Sequence, residues 1–209
     1  MALLCSTAAS AQNKAARPLE GAGRISVLGG VRWALPDGFD TSVAANGYPL
    51  STRWPVALQG QATFGYGAND FLEGTIDLVA GFSQFTLTGL SPFQAVQYGA
   101  LLGGRLTKND WPIHGLVPAL GIGVGPLLVS ASSEGRPLDE GLATAVSASL
   151  GLTWRFSDRF GIAFEYRFVF ARLSLSGLGS VNMGGNWFLL GFTTYFGAEP
   201  KKDGPSLSF

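Results

Sequence analysis

The chain has 209 residues, with 14 basic and 14 acidic side chains and no formal net charge, which excludes the strongly basic surface of a nucleic-acid binder. Charged residues are 13% of the chain, against 46% hydrophobic and 12% aromatic. That is about half the charge of an ordinary soluble domain, so much of the surface is predicted not to face water.

The opening MALLCSTAASAQ reads as the end of a secretory signal, with small residues at Ala9, Ser10 and Ala11 before Gln12. Residues 1–22 are therefore expected to be a signal remnant and lead-in. The one cysteine, Cys5, gives no disulfide framework. Eight strands are then predicted, over 23–35, 53–67, 71–85, 93–107, 114–130, 142–156, 160–173 and 186–196. The evidence is a period of two. In the second segment Val56, Leu58, Phe64 and Tyr66 alternate with Gln59, Gln61 and Thr63. In the third, Leu72, Ile76 and Leu78 alternate with Glu73, Thr75 and Asp77. The fifth, GLVPALGIGVGPLLVS (115–130), is the least clear, because its second face is glycine and alanine. Its Pro118 and Pro126 also keep it from being a membrane helix. The sixth and seventh, split by SDR (157–159), give the sharpest pattern. Leu150, Leu152 and Trp154, then Phe160, Ile162, Phe164, Tyr166, Phe168 and Phe170, share one face. Small and polar residues, among them Ser149, Thr153, Glu165 and Arg167, share the other.

The connections alternate in length. Those at 68–70, 108–112 and 157–159 are short; those at 36–51, 131–141 and 174–185 are long, and 86–91 is intermediate. Short turns on one side and longer loops on the other are the habit of transmembrane barrels. The tail 197–209 is polar and broken by Pro and Gly, so it is expected to be a flexible periplasmic extension.

Which face looks inward follows from volume and charge. A small barrel has no room for six large side chains from a single strand. An outer surface of Gly, Ala, Ser and Thr would also be too poor in charge for water. The large apolar face is therefore predicted to meet lipid, with Val56, Leu58, Leu150, Leu152, Ile162, Phe164 and Phe168 on it. The small residues then fill a narrow lumen. Aromatics are expected in two belts, Phe64, Tyr66, Phe71, Trp111, Trp154, Phe156, Phe160, Tyr195 and Phe196 at the short-turn end, Trp33, Trp54, Phe168, Phe170 and Phe188 at the other. The fold class is all-β: an eight-stranded antiparallel up-and-down transmembrane β-barrel over 23–196.

On the alternation, on RFSDRFGI followed by EYRF, and on the last strand NWFLLGFTTYF, residues 23–196 resemble the small bacterial outer-membrane barrels of the OmpA, OmpX and OmpW type. The resemblance implies location in the bacterial outer membrane, contact with its lipids and recognition by its assembly machinery. The terminal aromatic signal would be Phe196, or Phe209 at the chain end.

The inward face carries Arg24, Arg32, Arg105, Arg155 and Arg167 beside Glu73, Asp77 and Glu165. Isolated charges in a narrow lumen are costly, so these are expected to pair, with Glu165, Arg167 and Asp77 forming a plug across the middle. No metal-ligand cluster or phosphate loop is visible, so no metal, cofactor or catalytic residue is assigned. His114, the single histidine, has no local partner motif of the kind lipid-modifying barrel enzymes pair with serine and a carboxylate. Three function classes follow: a structural or interaction barrel meeting an envelope partner through 36–51, 131–141 and 174–185; a passage for small hydrophobic molecules, implied by the OmpW resemblance; and a lipid enzyme. The first is favoured, because eight strands leave an interior just filled by side chains.

Overall fold

The computed structural model describes residues 20–34, 50–53, 56–87, 92–108, 113, 115–133, 136–175 and 179–197. Eight long strands, β1 (Gly23–Trp33), β3 (Val56–Gly67), β4 (Leu72–Leu87), β5 (Phe93–Thr107), β6 (Leu116–Ser133), β7 (Arg136–Arg155), β8 (Phe160–Leu175) and β10 (Gly185–Phe196), pair antiparallel in chain order. β10 pairs back onto β1 along its whole length and closes the barrel. Short β2 (Leu50–Arg53) pairs with β4, and β9 (Gly179–Asn182) pairs with β8 in the register that β10 continues. The described residues contain no helix.

The register defines the barrel. Traced perpendicular to the strands from Gly23 through Tyr66, Gly74, Gly104, Ile122, Ala148, Phe168 and Asn186, it returns to β1 at Trp33, ten residues beyond its start. With eight strands, a stagger of ten tilts them by roughly 40° and leaves a narrow lumen. The short turns are built locally. The Asn69 side chain accepts hydrogen bonds from the Phe71 and Leu72 N–H groups, and the Ser157 hydroxyl from those of Arg159 and Phe160.

Alternation decides the two faces. Leu58, Leu150, Leu152, Phe164 and Phe168 are exposed on the outer wall, and Val56 and Ile162 are half-buried there. Their neighbours Gln59, Thr153, Ala163 and Arg167 are buried inside. An outer wall of this kind, with Ile122 at 71% and Phe192 at 70% exposure, is the wall of a bilayer-embedded barrel. Trp33, Phe168, Phe170 and Phe188 form one exposed aromatic band, and Phe64, Tyr66, Phe71, Trp154, Phe156, Phe160 and Phe196 the other. Trp54, Trp111 and His114 lie outside the described residues.

The structure corrects three expectations. Tyr195 is not in the belt. It is buried in the lumen beneath Arg155, because strand parity puts it opposite in direction to Phe196. The stretches read as long loops, 131–141 and 174–185, are largely strand. The β6–β7 ladder runs to Ser133 and Arg136, and the β8–β9 ladder to Leu175 and Gly179. Glycine, serine and proline mark a loop locally, but a neighbouring strand supplies the pairing, with a register shift at Leu138, between Pro137 and Asp139. Finally, the lumen is not filled by small and polar residues throughout. Leu101, Leu127, Trp187 and Leu189 point into it and have no exposed surface. Residues 36–49 of the 36–51 connection and nearly all of 1–22 and 197–209 lie outside the described residues, and 50–51 open β2.

One irregularity in the wall has a clear cause. The β5–β6 ladder stops at Gly99 and Leu127 and resumes at Leu102 and Val124. Between them Pro126 stands opposite Ala100 and has no N–H to donate.

Arginine placed at Phe164, between the two aromatic bands, should destabilise the barrel by about 2–4 kcal/mol if the wall meets lipid. Urea unfolding in lipid vesicles measures this, and a near-neutral result would contradict lipid exposure.

Candidate functional site

The charged side chains gather inside the short-turn half. Arg24 is the second residue of β1 and Glu73 the second of β4. Arg105 is the third from the end of β5. Asp77, Glu165 and Arg167 lie further in. All six are at least nine-tenths buried.

Two linked sets of contacts result. The Arg24 Nε donates to Glu73 Oε1 at 2.7 Å, and its Nη1 donates to the Ser26 hydroxyl. Ser26 in turn donates to Thr193 at 2.8 Å. In the second set Arg167 Nη2 bridges Asp77 Oδ2 at 2.7 Å and Glu165 Oε1 at 2.8 Å. Glu165 Oε2 also lies 3.5 Å from Arg105 Nη1, and Glu165 Oε1 accepts from Gln61. Asp77 accepts from the Thr63 hydroxyl at 2.6 Å, and Thr63 accepts from Gln61. The Asp77–Arg167 bridge joins β4 to β8, which stand four strands apart in the ring of eight. It is thus a tie across the full width of the lumen. The gap left between Arg24, Arg105, Arg167, Asp77 and Glu165 is large enough for roughly one water molecule.

Glycine makes room for these long side chains. A Cβ on Gly151 would stand 2.6 Å from Nη2 of Arg105, and one on Gly65 would overlap the Glu73 carboxylate. Gly65 of β3 and Gly151 of β7 are therefore part of the site, a role that period-two reading assigns only to close strand packing.

The remaining charged positions lie apart from this cluster. Arg155 is half-buried at the short-turn mouth, with its guanidinium 4.6 Å from the Tyr195 ring centroid and Nη2 donating to the Asp158 carbonyl. Arg32 lies near the other end of β1 and donates to Gln97 Oε1 at 2.9 Å and to the Met183 carbonyl. Gln97 donates to Gln59 Oε1 at 2.8 Å. Gln97, Ser26 and Thr193 were not singled out by sequence. Parity marks them as inward, but only the register shows what they meet.

Beside and above the ion pairs an apolar cluster packs around the Arg32, Gln97 and Gln59 set. Val79 of β4, Leu101 of β5, Leu127 of β6, Val169 of β8 and Trp187 with Leu189 of β10 form one buried cluster. Leu28 of β1 and Ala145 of β7 complete it. Gln59 and Gln61 of β3 and Gln97 of β5 are buried beside it. Among the described residues no group of His, Cys, Asp or Glu is arranged to hold a metal ion.

Removing Glu165 leaves the buried Arg105 guanidinium without its carboxylate and Arg167 with Asp77 alone, so Glu165→Ala should cost about 3–5 kcal/mol of stability in an unfolding titration. Replacing both partners of the cross-lumen tie, as in Asp77→Leu with Arg167→Met, should cost less than either single change. Gly65→Val should separate Glu73 from Arg24 and lower stability in the same assay. An unchanged midpoint would show that the close approach is not needed.

No protein-family model and no curated protein matches the chain. Solved structures do match. Neisserial surface protein A is 13% identical with a TM-score of 0.57, the match covering 85% of this chain and 98% of that one. The outer membrane protein OprG from Pseudomonas aeruginosa is 15% identical with a TM-score of 0.53, covering 86% and 98%. Ail, the attachment invasion locus protein of Yersinia pestis, is 16% identical with a TM-score of 0.52, covering 85% and 99%. At such identity the likeness is one of architecture: this chain has the fold of the small eight-stranded bacterial outer-membrane β-barrels.

Proposed function

We propose that the protein is an integral outer-membrane barrel with a structural and interaction role, anchored in the envelope, closed to solute flow, and presenting its long hairpins to a partner. The observation that carries this reading is the filled lumen. A tie from β4 to β8 spans its width, and four fully buried apolar side chains occupy the space above it. Neither a catalytic grouping nor open apolar room for a small hydrophobic passenger goes with that arrangement.

The strands also support display. About ten residues suffice for a tilted strand to cross a bilayer, yet β6 has 18 and β7 has 20. Their excess lies at the end opposite the turns at 68–71 and 156–159, where Gly23 and Phe196 also meet. The proposed topology puts 36–51 and the tips of the β6–β7 and β8–β9 hairpins on the cell surface, and the short turns in the periplasm. Phe196, exposed at the end of β10, is the aromatic that the assembly machinery would read.

Two measurements test this. A peptide tag inserted between Glu134 and Gly135 should be reached by antibody on intact cells, and one after Asp158 should not; the reverse result would invert the topology. The purified chain in planar bilayers should show no large steady conductance, and such a conductance would overturn the closed-barrel reading.

A further inference from the structure

Arg105 is held more loosely than the other arginines of the ion-pair cluster. Arg24 has Glu73 at 2.7 Å, and Arg167 has Asp77 at 2.7 Å and Glu165 at 2.8 Å. Arg105 reaches only Glu165, at 3.5 Å, and shares that carboxylate with Arg167. It is nevertheless more than nine-tenths buried. A guanidinium has five N–H donors and no acceptor, so a buried one needs oxygen or an anion around it.

The gap at the centre of the cluster lies against this group. Its charged lining is Arg24, Arg105 and Arg167 with Asp77 and Glu165, three cations against two anions. Glu73, which pairs with Arg24, is not part of that lining. The lining acceptors are largely taken. Asp77 receives the Thr63 hydroxyl and Arg167, and Glu165 Oε1 receives Gln61 and Arg167. The donors are in surplus. Nη2 of Arg24 and Nη1 of Arg167 are two of the seven buried polar atoms without a hydrogen-bond partner among the described residues. Thr75 and Ser149 add hydroxyls to the same lining, and both are only half-buried although they point inward. Gly121 keeps the wall beside them bare, since a Cβ there would stand 2.5 Å from Ser149 Oγ.

We propose that this gap is a binding site for one small monovalent anion, with chloride the simplest case, held by Arg105 and the hydroxyls of Thr75 and Ser149. The anion supplies the acceptor that the arginines lack and brings the charge of the lining to zero. A gap of about one water molecule admits a monatomic ion and excludes larger organic anions. The assignment goes beyond the closed-barrel reading and needs entry from one mouth only.

The full chain folded in lipid vesicles tests this, with chloride as the probe and urea as the denaturant. The unfolding midpoint should rise when sodium chloride replaces sodium gluconate at equal ionic strength, because a ligand of the native state stabilises it. The rise should be lost in Arg105→Gln and kept in Arg155→Gln, whose arginine stands at the short-turn mouth. Because Arg105→Gln could fail to fold, Ser149→Val, which removes a hydroxyl and fills the gap, should give the same loss. A second measurement needs no unfolding. The chlorine-35 resonance of the salt should be broadened by the folded wild-type chain, and bromide should reverse the broadening. A midpoint and a line width indifferent to chloride would mean that water alone fills the gap, and would overturn the proposal. A chloride effect that survives both Arg105→Gln and Ser149→Val would place binding elsewhere and overturn it as well. Conductance in planar bilayers, which tests the closed barrel, bears on neither result.

Discussion

In hydrocarbon, a backbone N–H or C=O without a partner costs several kcal/mol, and no water is available to supply one. Everything else in this barrel follows from meeting that requirement within a single chain of modest length. A sheet with edges fails, so β10 must find β1. Closure ties strand number to stagger, and eight strands with a stagger of ten residues set both the tilt and the bore. Opposite Pro126 the ladder breaks off and resumes on either side.

The narrow bore then creates a volume problem that the interior solves in two ways. In the short-turn half, long charged side chains cross the space and neutralise one another, and glycines on facing strands give them room. In the other half, leucine, valine and tryptophan pack around the hydrogen-bonded set of Arg32, Gln97 and Gln59. The barrel is consequently apolar on the outside and, in part, on the inside. Its hydrophobic residues do two jobs that composition alone does not separate. Leu189 and Leu190 are neighbours in sequence, yet one has no exposed surface and the other faces outward at 59% exposure.

A buried ion-pair cluster is weak evidence for high stability, because desolvation offsets much of the attraction. Its stronger effect is on geometry. The Asp77–Arg167 tie joins strands on opposite sides of the ring, so it resists flattening of the barrel in a way that ladder hydrogen bonds between adjacent strands do not.

Much of this was legible in the chain itself. Alternation at Phe160–Phe170 named both faces of β8, because the period of a strand is a local property of the backbone. Low charge with abundant aromatics turned the large face toward lipid, and parity alone would have turned Tyr195 inward. The charged residues were readable as lumen residues one by one. Their partners were not. Asp77 and Arg167 are 90 positions apart, and their contact depends on the stagger accumulated around the closed ring, which no local pattern encodes. Hairpin length escaped for a related reason: Ser, Gly and Pro at 131–141 and 174–185 look like loop until a neighbouring strand offers its hydrogen bonds. The apolar cluster was likewise set by register, since Leu101, Leu127 and Trp187 meet only when closure of the ring brings them together. The sequence by itself determined which way each side chain points; closure of the sheet decided what each one meets, because contact across a barrel is a property of the whole ring.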